Sequence, residues 1–257
     1  MLIDVVVLLS AVTIAVLGLV PVQRRVPLDA LRKQHEVAGV AYAVLATLYG
    51  VILAFVLVAS WEQFENVRHT IEMEVDAAGN LGRHSEGFSS ADAARLHTAL
   101  ADYLRSVIRD EWPAMERGEA SAEGWEEYAR LWTAVLGVEL HSDKQTSLWQ
   151  TTVEQMDALS TARRERVLFA NRNVPVIVWS FLVVFGIVTV AFTYLFGMEN
   201  LRTHRLIAGA LAATICSTLI LIRETQTPFR GALTLGPQPF QALLDRVSAE
   251  QAPPPTP

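Results

Sequence analysis

Apolar residues gather into four long runs, Val5–Val22, Val37–Ser60, Val174–Gly197 and Leu206–Ile222, and none of the four contains Asp, Glu, Lys, Arg or His. Each run has about the 17–25 residues that a helix needs to cross the hydrocarbon core of a bilayer. They come in two pairs. The first pair is joined by a short loop carrying Arg24, Arg25, Arg32 and Lys33, and the second by a tight turn around Gly197–His204. Short connections between helices make antiparallel hairpins. Pro175 falls in the first turn of the third helix, where a missing N–H is harmless. The first run has an acidic start, Asp4, and no small-residue cleavage site after it, so it reads as a retained helix and not as a signal peptide.

Between the pairs lies a long polar insert whose apolar positions recur at helical spacing. Phe64, Val67, Ile71, Val75 and Ala78 continue the second membrane helix. Leu96, Leu100, Tyr103, Leu104, Val107 and Ile108 mark a helix over Ala91–Arg117, and Trp125, Tyr128, Leu131, Trp132, Val135 and Leu136 mark another. Gln145–Asn171 is more polar and leads into the third membrane helix. No alternating strand pattern occurs. The expectation is an all-α, multi-pass membrane protein with four transmembrane helices and a helical-bundle insert between helices 2 and 3. The second and third membrane helices should run unbroken into that insert. The expected division is a first hairpin over 1–60, an acidic extramembrane domain over 61–173, a second hairpin over 174–222 and a C-terminal segment over 223–257 with a disordered Pro-rich end.

Charge sharpens this division. Mean hydropathy is +0.29, yet 19% of the residues are charged. Between Glu62 and Arg172 there are twenty acidic and twelve basic residues, net −8, whereas the rest of the chain is +2. No basic face exists to neutralise phosphates, which argues against a nucleic-acid partner. Cys216 is the only cysteine and lies in the fourth run, so there is no intramolecular disulfide, and the residue reads as a small buried one.

Candidate chemistry is sparse. There is no GxxxxGK, GxGxxG, HExxH or GxSxG motif, no catalytic constellation, and nothing that calls for a cofactor. The six histidines do not cluster at ligand spacing. Glu65, His69 and Glu72 share a helix face, but a solvated face beside a membrane accounts for them, and no metal site is expected. The acidic string Glu62, Glu65, Glu72, Glu74 and Asp76 follows the second membrane helix. It reads as solvation of a helix leaving the bilayer, with a cation-attracting vestibule as the functional alternative. The runs carry neutral polar groups, among them the hydroxyls of Thr47, Thr189 and Thr214, which are candidates to face a wet path. Their simpler role is to bond back to their own helix or to a neighbour. An ion-coupled pump would need an ionisable group at depth, and none is present.

Several segments, in order, resemble one family. Trp61–Arg83, with Trp61, Arg68, Glu74 and Arg83, is similar to the stretch after the second helix in bacterial bestrophin-like domain proteins. Tyr103–Val107 followed by Asp110–Met115, with Glu111, Trp112 and Pro113, resembles that family's Glu-Trp-Pro region. Arg163–Arg166, then Pro175 and Trp179, resembles its entry to the third helix, and Pro228, Phe229 and Gly231 with Pro239 and Phe240 its Pro-Phe-x-Gly signature. One departure is Gln226, where the family often carries Asp; Glu224 is close by. The resemblance implies a bacterial inner-membrane protein related to the bestrophins, which are oligomeric anion channels with four membrane helices per subunit and aromatic pore constrictions. Its implied partners are membrane lipids, copies of itself and inorganic ions. A second reading from the residues is a membrane-anchored sensor or scaffold whose acidic helical domain binds a partner.

Orientation divides the signals. The basic loop after the first helix, which usually dominates, places the insert outside. Arg163, Arg164, Arg166 and Arg172 before the third helix pull the other way, and the resemblance implies a cytoplasmic insert. The first-helix rule predicts that Ser121→Cys, in a Cys216→Ser background, reacts with an impermeant thiol reagent on intact cells. Protection there, with labelling of a cysteine placed at Arg24, would reverse the assignment.

Overall fold

The computed structural model describes residues 2–25, 35–119, 121–170, 174–196, 198 and 200–250. Those residues hold helices and no strand. In chain order the helices are α1 (Leu2–Arg25), α2 (His35–Ser85), α3 (Ser90–Ser106), α4 (Trp112–Arg117), α5 (Ala122–Leu136), α6 (Asp143–Ala170), α7 (Val176–Phe192), α8 (Leu201–Thr225) and α9 (Gln238–Glu250). Four of them are long and apolar enough to cross a membrane: α1, α2, α7 with the 3₁₀ turn that follows it, and α8. The all-α, four-span expectation therefore holds. Of the expected basic loop, Arg24 and Arg25 instead form the last turn of α1, where apolar Val22 did not end the helix, and Arg32 and Lys33 lie outside the described residues, as do the Gly197 turn position and the Pro-rich end.

The chain divides into two compact units, one of residues 1–63 and 173–226, the other of residues 64–172 and 227–257. Helix α2 belongs to both. It is 51 residues long. It has neither Pro nor a capping signal between the second apolar run and the polar stretch after it, so nothing stops it at Ser60.

The third membrane helix corrects the expectation. It does not continue unbroken from the insert, because α6 ends at Ala170 and Val174 and Pro175 are non-helical. Pro175 is the N-cap of α7 and not part of its first turn, with φ −54° and ψ 138°. Its missing N–H and its ring, which disfavours helical backbone at the residue before it, put a boundary where the hydropathy pattern runs on.

In the first unit α1 and α8 lie antiparallel, with Asp4 at the start of one paired to Arg223 at the end of the other (3.2 Å). Small residues, Ala15 on α1 and Ala208 and Ala212 on α8, are buried. Helix α7 packs against α2 and α8 through Tyr49, Leu53, Leu182, Ile215 and Ile222. Two phenols reach a neighbouring backbone: Tyr49 Oη donates to the Leu182 carbonyl at 2.8 Å, and Tyr194 Oη to the Ala15 carbonyl at 2.6 Å. In a bilayer such bonds replace the water that a polar group would otherwise need. Only 11–33% of each apolar window is buried inside the chain, so most of this apolar surface has to meet lipid or other protein.

In the second unit the end of α2 packs with α3–α6 and α9 around Leu100, Tyr103, Leu104, Val107, Leu131, Val135, Met156, Leu159 and Phe240. Ser89 caps α3 by accepting from Asp92 N (3.1 Å), and Ser121 caps α5 by accepting from Gly124 N (3.2 Å). Helix α9 was not expected. Its Phe240, Leu243 and Val247 are buried in this core at helical spacing.

A glycine decides how closely α2 and α7 approach. A Cβ on Gly186 would lie 2.8 Å from Tyr49 Oη and 3.2 Å from Ile215 Cγ2, whereas one on Gly50 meets nothing within 4 Å. The two changes to Ala should have opposite signs. Gly186→Ala should destabilise by roughly 1–3 kcal/mol through overpacking. Gly50→Ala should be neutral or stabilising by about 0.5–1 kcal/mol through helix propensity. Thermal unfolding in mild detergent measures both.

Candidate functional site

The densest polar chemistry lies inside the second unit. Arg166, on α6, has no exposed side-chain surface. Its Nε donates to Glu74 Oε2 at 2.7 Å and its Nη2 to Glu74 Oε1 at 2.9 Å, a bidentate fork onto α2. The same Nη2 donates to Glu111 Oε2 at 2.5 Å, and Nη1 meets Met115 Sδ at 3.3 Å. One turn earlier on α6, Arg163 donates to Glu111 Oε1, from Nε at 3.0 Å and also from Nη2. The Tyr103 hydroxyl on α3 donates to Glu74 Oε1. Two carboxylates and two guanidiniums thus form one buried, net-neutral network that ties α2, α3 and α6 together.

Local sequence explains how Glu111 enters it. Residues Val107–Glu111 form a wide π turn between α3 and α4. Pro113 follows at the start of α4, and its ring and missing N–H disfavour an ordinary helical turn there. The turn buries Val107, Glu111 and Trp112 while leaving Arg109 and Asp110 outside. Gly124 on α5 supplies the space, since a Cβ there would lie 2.1 Å from Glu111 Oε1. Aromatic rings close over the cations. Arg166 lies 5.6 Å from the Trp112 ring centre and 5.4 Å from that of Phe240, and Arg163 4.2 Å from Trp125 and 5.1 Å from Tyr128. Trp112 also meets Phe229 edge-on at 5.5 Å.

Burial and partners oppose each other at Glu111 and Arg166. Burial alone would raise the Glu111 carboxyl, but Arg166 and then Arg163 beside it hold it below the usual carboxylate value. Burial works against the Arg166 charge, yet Glu74 and then Glu111 push its pKa well above the ordinary one. Burial, followed by the Glu74 charge, raises the Tyr103 phenol well above its usual value, so it stays a donor.

The family's sequence profile matches residues 9–240 and describes a bestrophin-like domain. The chain belongs to the bestrophin-like domain family. Solved structures agree on the fold. A variant of a bacterial bestrophin homologue from Klebsiella pneumoniae superposes with a TM-score of 0.69 at 15% identity, covering 96% of this chain and 99% of that one. A second variant of a homologue from Klebsiella pneumoniae gives 0.65 at 15% identity over 96% and 98%. A structure described only as a membrane protein gives 0.65 at 14% identity over 96% of each chain. No curated protein matches the sequence.

Of the residues read as family motifs, Glu74, Glu111, Trp112, Arg166 and Phe229 come together in this bestrophin-like fold. Pro113 and Pro228 flank them in sequence, and Gly231 takes a left-handed φ of 101° beyond Phe229. Glu111 pairs with Arg163 and Arg166 and not with Arg83, which bonds Asn80 on its own helix. Glu74 leaves the acidic string read as a solvated face, because its position points into the core and Arg166 neutralises it there. Trp61 and Pro175 are exposed, and Arg68 makes a surface pair with Glu65 at 3.4 Å. Trp179 belongs to a second polar cluster, in the first unit: its Nε1 donates to Gln226 Oε1 (3.2 Å), and Gln226 Nε2 donates to Ser60 Oγ (3.3 Å). Of the hydroxyls, Thr47 and Thr214 are exposed, and Thr189 is buried. Thr189 and Thr214 donate to their own helix, at Phe185 and Ala210. Sequence reading passed over Tyr103 and Arg163 as site residues. The usable signal was the spacing of Arg163 and Arg166, three apart on a helix of low hydrophobicity.

Arg166→Met should cost roughly 3–5 kcal/mol, since it leaves two buried carboxylates without their shared partner. Gly124→Ala should destabilise the same corner by displacing Glu111. The pH dependence has a definite sign. Because Arg166 and Arg163 hold the Glu111 carboxyl below the usual carboxylate value, its stabilisation is complete above that usual value and is lost as pH falls through the lowered folded pKa. Glu111→Gln should therefore lower stability at neutral pH and flatten the acid limb of a stability-against-pH curve; a limb as steep as the wild type's would remove Glu111 from that role.

Proposed function

We propose that this chain is the subunit of an oligomeric ion channel in the bacterial inner membrane. The observation that carries the reading is its membership of the bestrophin-like family across residues 9–240, on a fold with four membrane-crossing helices. Four helices do not enclose an ion path, so several copies surround it. Helix α2 is the candidate for the wall, because Val44, Leu48, Val51, Phe55 and Val58 repeat on it at spacings of three and four and are all exposed in the single chain. Thr47 lies within that face and supplies a hydroxyl. The spans offer no ionisable group at depth, which suits passive flow better than proton coupling. In this reading residues 61–173 form the extramembrane domain between hairpins 1–60 and 174–222, and the C-terminal segment 223–257 contributes α9 to it. The buried Glu74–Arg166–Glu111 network holds that domain's helices in place and is not part of the ion path.

Anions are favoured only slightly over cations, because Glu62, Glu72 and Asp76 stay exposed after the second span and oppose anion entry. The purified protein should run as an oligomer in mild detergent and pass chloride, and potassium less readily, in liposome flux assays. A monomer that passes neither ion would overturn the channel and leave a membrane-anchored scaffold.

A further inference from the structure

The first unit contains a cleft that neither the fold nor the channel reading uses. Helix α1 packs along α8 but meets α7 only sparingly, and the gap among the three is a cavity of about 480 Å³. Ala15, Gly186, Ala212 and Cys216 form its buried floor. Ile14 and Ile187, 70% and 63% exposed, stand at its rim, so it opens sideways from the membrane-crossing helices. The volume falls within the roughly 300–1,000 Å³ of small-molecule sites.

Its lining selects the occupant. Among the described residues no charged one lines it. Its polar side chains are Tyr194, whose hydroxyl already donates to the Ala15 carbonyl, and the Cys216 thiol. A buried water needs two to four polar partners and finds too few here. The occupant is apolar, and the medium at the rim is hydrocarbon. The Asp4–Arg223 pair marks one end of the antiparallel α1–α8 pair. At the other end Arg24 and Arg25 finish α1 and Arg202 and Arg205 begin α8, all four exposed. Gly18 and Tyr194 carry the cavity toward that end. An apolar slot leading toward four arginines matches one molecule with an acyl chain and an anionic headgroup.

We propose that this cleft binds one acyl chain of an anionic phospholipid, with its phosphate held by Arg24, Arg25, Arg202 and Arg205. A free fatty acid carries the same single charge on two carboxylate oxygens alone, whereas a phosphatidylglycerol headgroup adds ester and hydroxyl oxygens for four guanidiniums, and an apolar side chain from a second copy would leave them without a counter-charge. The proposal rests on insertion in a bilayer and not on ion conduction, so it stands or falls apart from the channel.

The test uses the full chain in nanodiscs of phosphatidylcholine doped with phosphatidylglycerol that bears a diazirine on one acyl chain. Photolysis followed by peptide mapping should place cross-links at Ala11–Gly18, Val183–Tyr194 and Ala212–Leu219. Unlabelled phosphatidylglycerol should compete, and phosphatidylcholine should not. Arg202→Gln with Arg205→Gln, both surface changes that leave folding intact, should weaken competition by roughly fivefold per arginine. Ala15→Phe should abolish the mapped cross-links, with circular dichroism and unfolding to check its fold. Equal competition by phosphatidylcholine, or indifference to the arginine changes, would overturn the proposal. A diazirine fatty acid that labels the same peptides as strongly would move the site to free fatty acids and overturn it too. So would labelling that falls with the number of protein copies per disc and not with competing lipid, since a second copy would then fill the cleft.

Discussion

A guanidinium with no contact with water must be neutralised where it lies, and the architecture of the second unit follows from that demand at Arg166. Taking an ion out of water costs several kcal/mol even after relaxation, and attraction to a partner offsets this only when the geometry is good and the remaining protons find acceptors. Here the fork of Arg166 onto Glu74, its shared contact with Glu111 and the Met115 sulfur occupy the charged head. Arg163 completes Glu111, and Tyr103 completes Glu74. The network is neutral as a whole, so it neither attracts counter-ions nor repels its surroundings. Its worth lies less in net stability, which apolar replacements can equal, than in register. A rotation of α2 or α6 by one residue turns a side chain through about 100° and leaves buried charges unpaired.

That demand accounts for features that look like irregularities when read alone. The π turn at Val107–Glu111 and Pro113 after it bring a carboxylate and an indole to the same buried side. A glycine in the first turn of α5 would ordinarily be a weakness, yet Gly124 is where the Glu111 carboxylate comes against that helix. The membrane half solves its polar problem differently. Tyr49 and Tyr194 each donate to a single backbone carbonyl of another helix, so no charge has to enter the spans.

The spans, the all-helical class and the run-on of α2 were legible because they depend on composition and periodicity over tens of residues. The break before α7 was not, since a single proline, Pro175 behind Val174, does not interrupt an apolar run and hydropathy ignores backbone geometry. Helix α9 was overlooked although Phe240, Leu243 and Val247 show helical spacing, because the Pro-rich end beyond it suggested disorder. The family resemblance named Glu74, Glu111, Trp112 and Arg166 among the residues of several separate segments, and nothing in it said that these four meet. Glu74 sits among Glu72 and Asp76, and only the phase of α2 separates a buried carboxylate from its exposed neighbours. Pairing between Glu111 and two arginines more than fifty positions away is a tertiary fact without a local signature.

In the channel proposed above, that phase also bears on ion preference. With Glu74 neutralised inside, the negative field around the stretch after the second span comes from exposed carboxylates such as Glu62, Glu72 and Asp76. Exposed charges are screened over about 8 Å at physiological ionic strength, whereas buried pairs are screened much less. The part of the acidity that salt can mask is therefore the part able to act on a passing ion, and the part it cannot mask is already cancelled by Arg166 and Arg163. A permeability ratio set by these surface groups should drift toward anions as salt rises, while the fold that carries them stays insensitive to it.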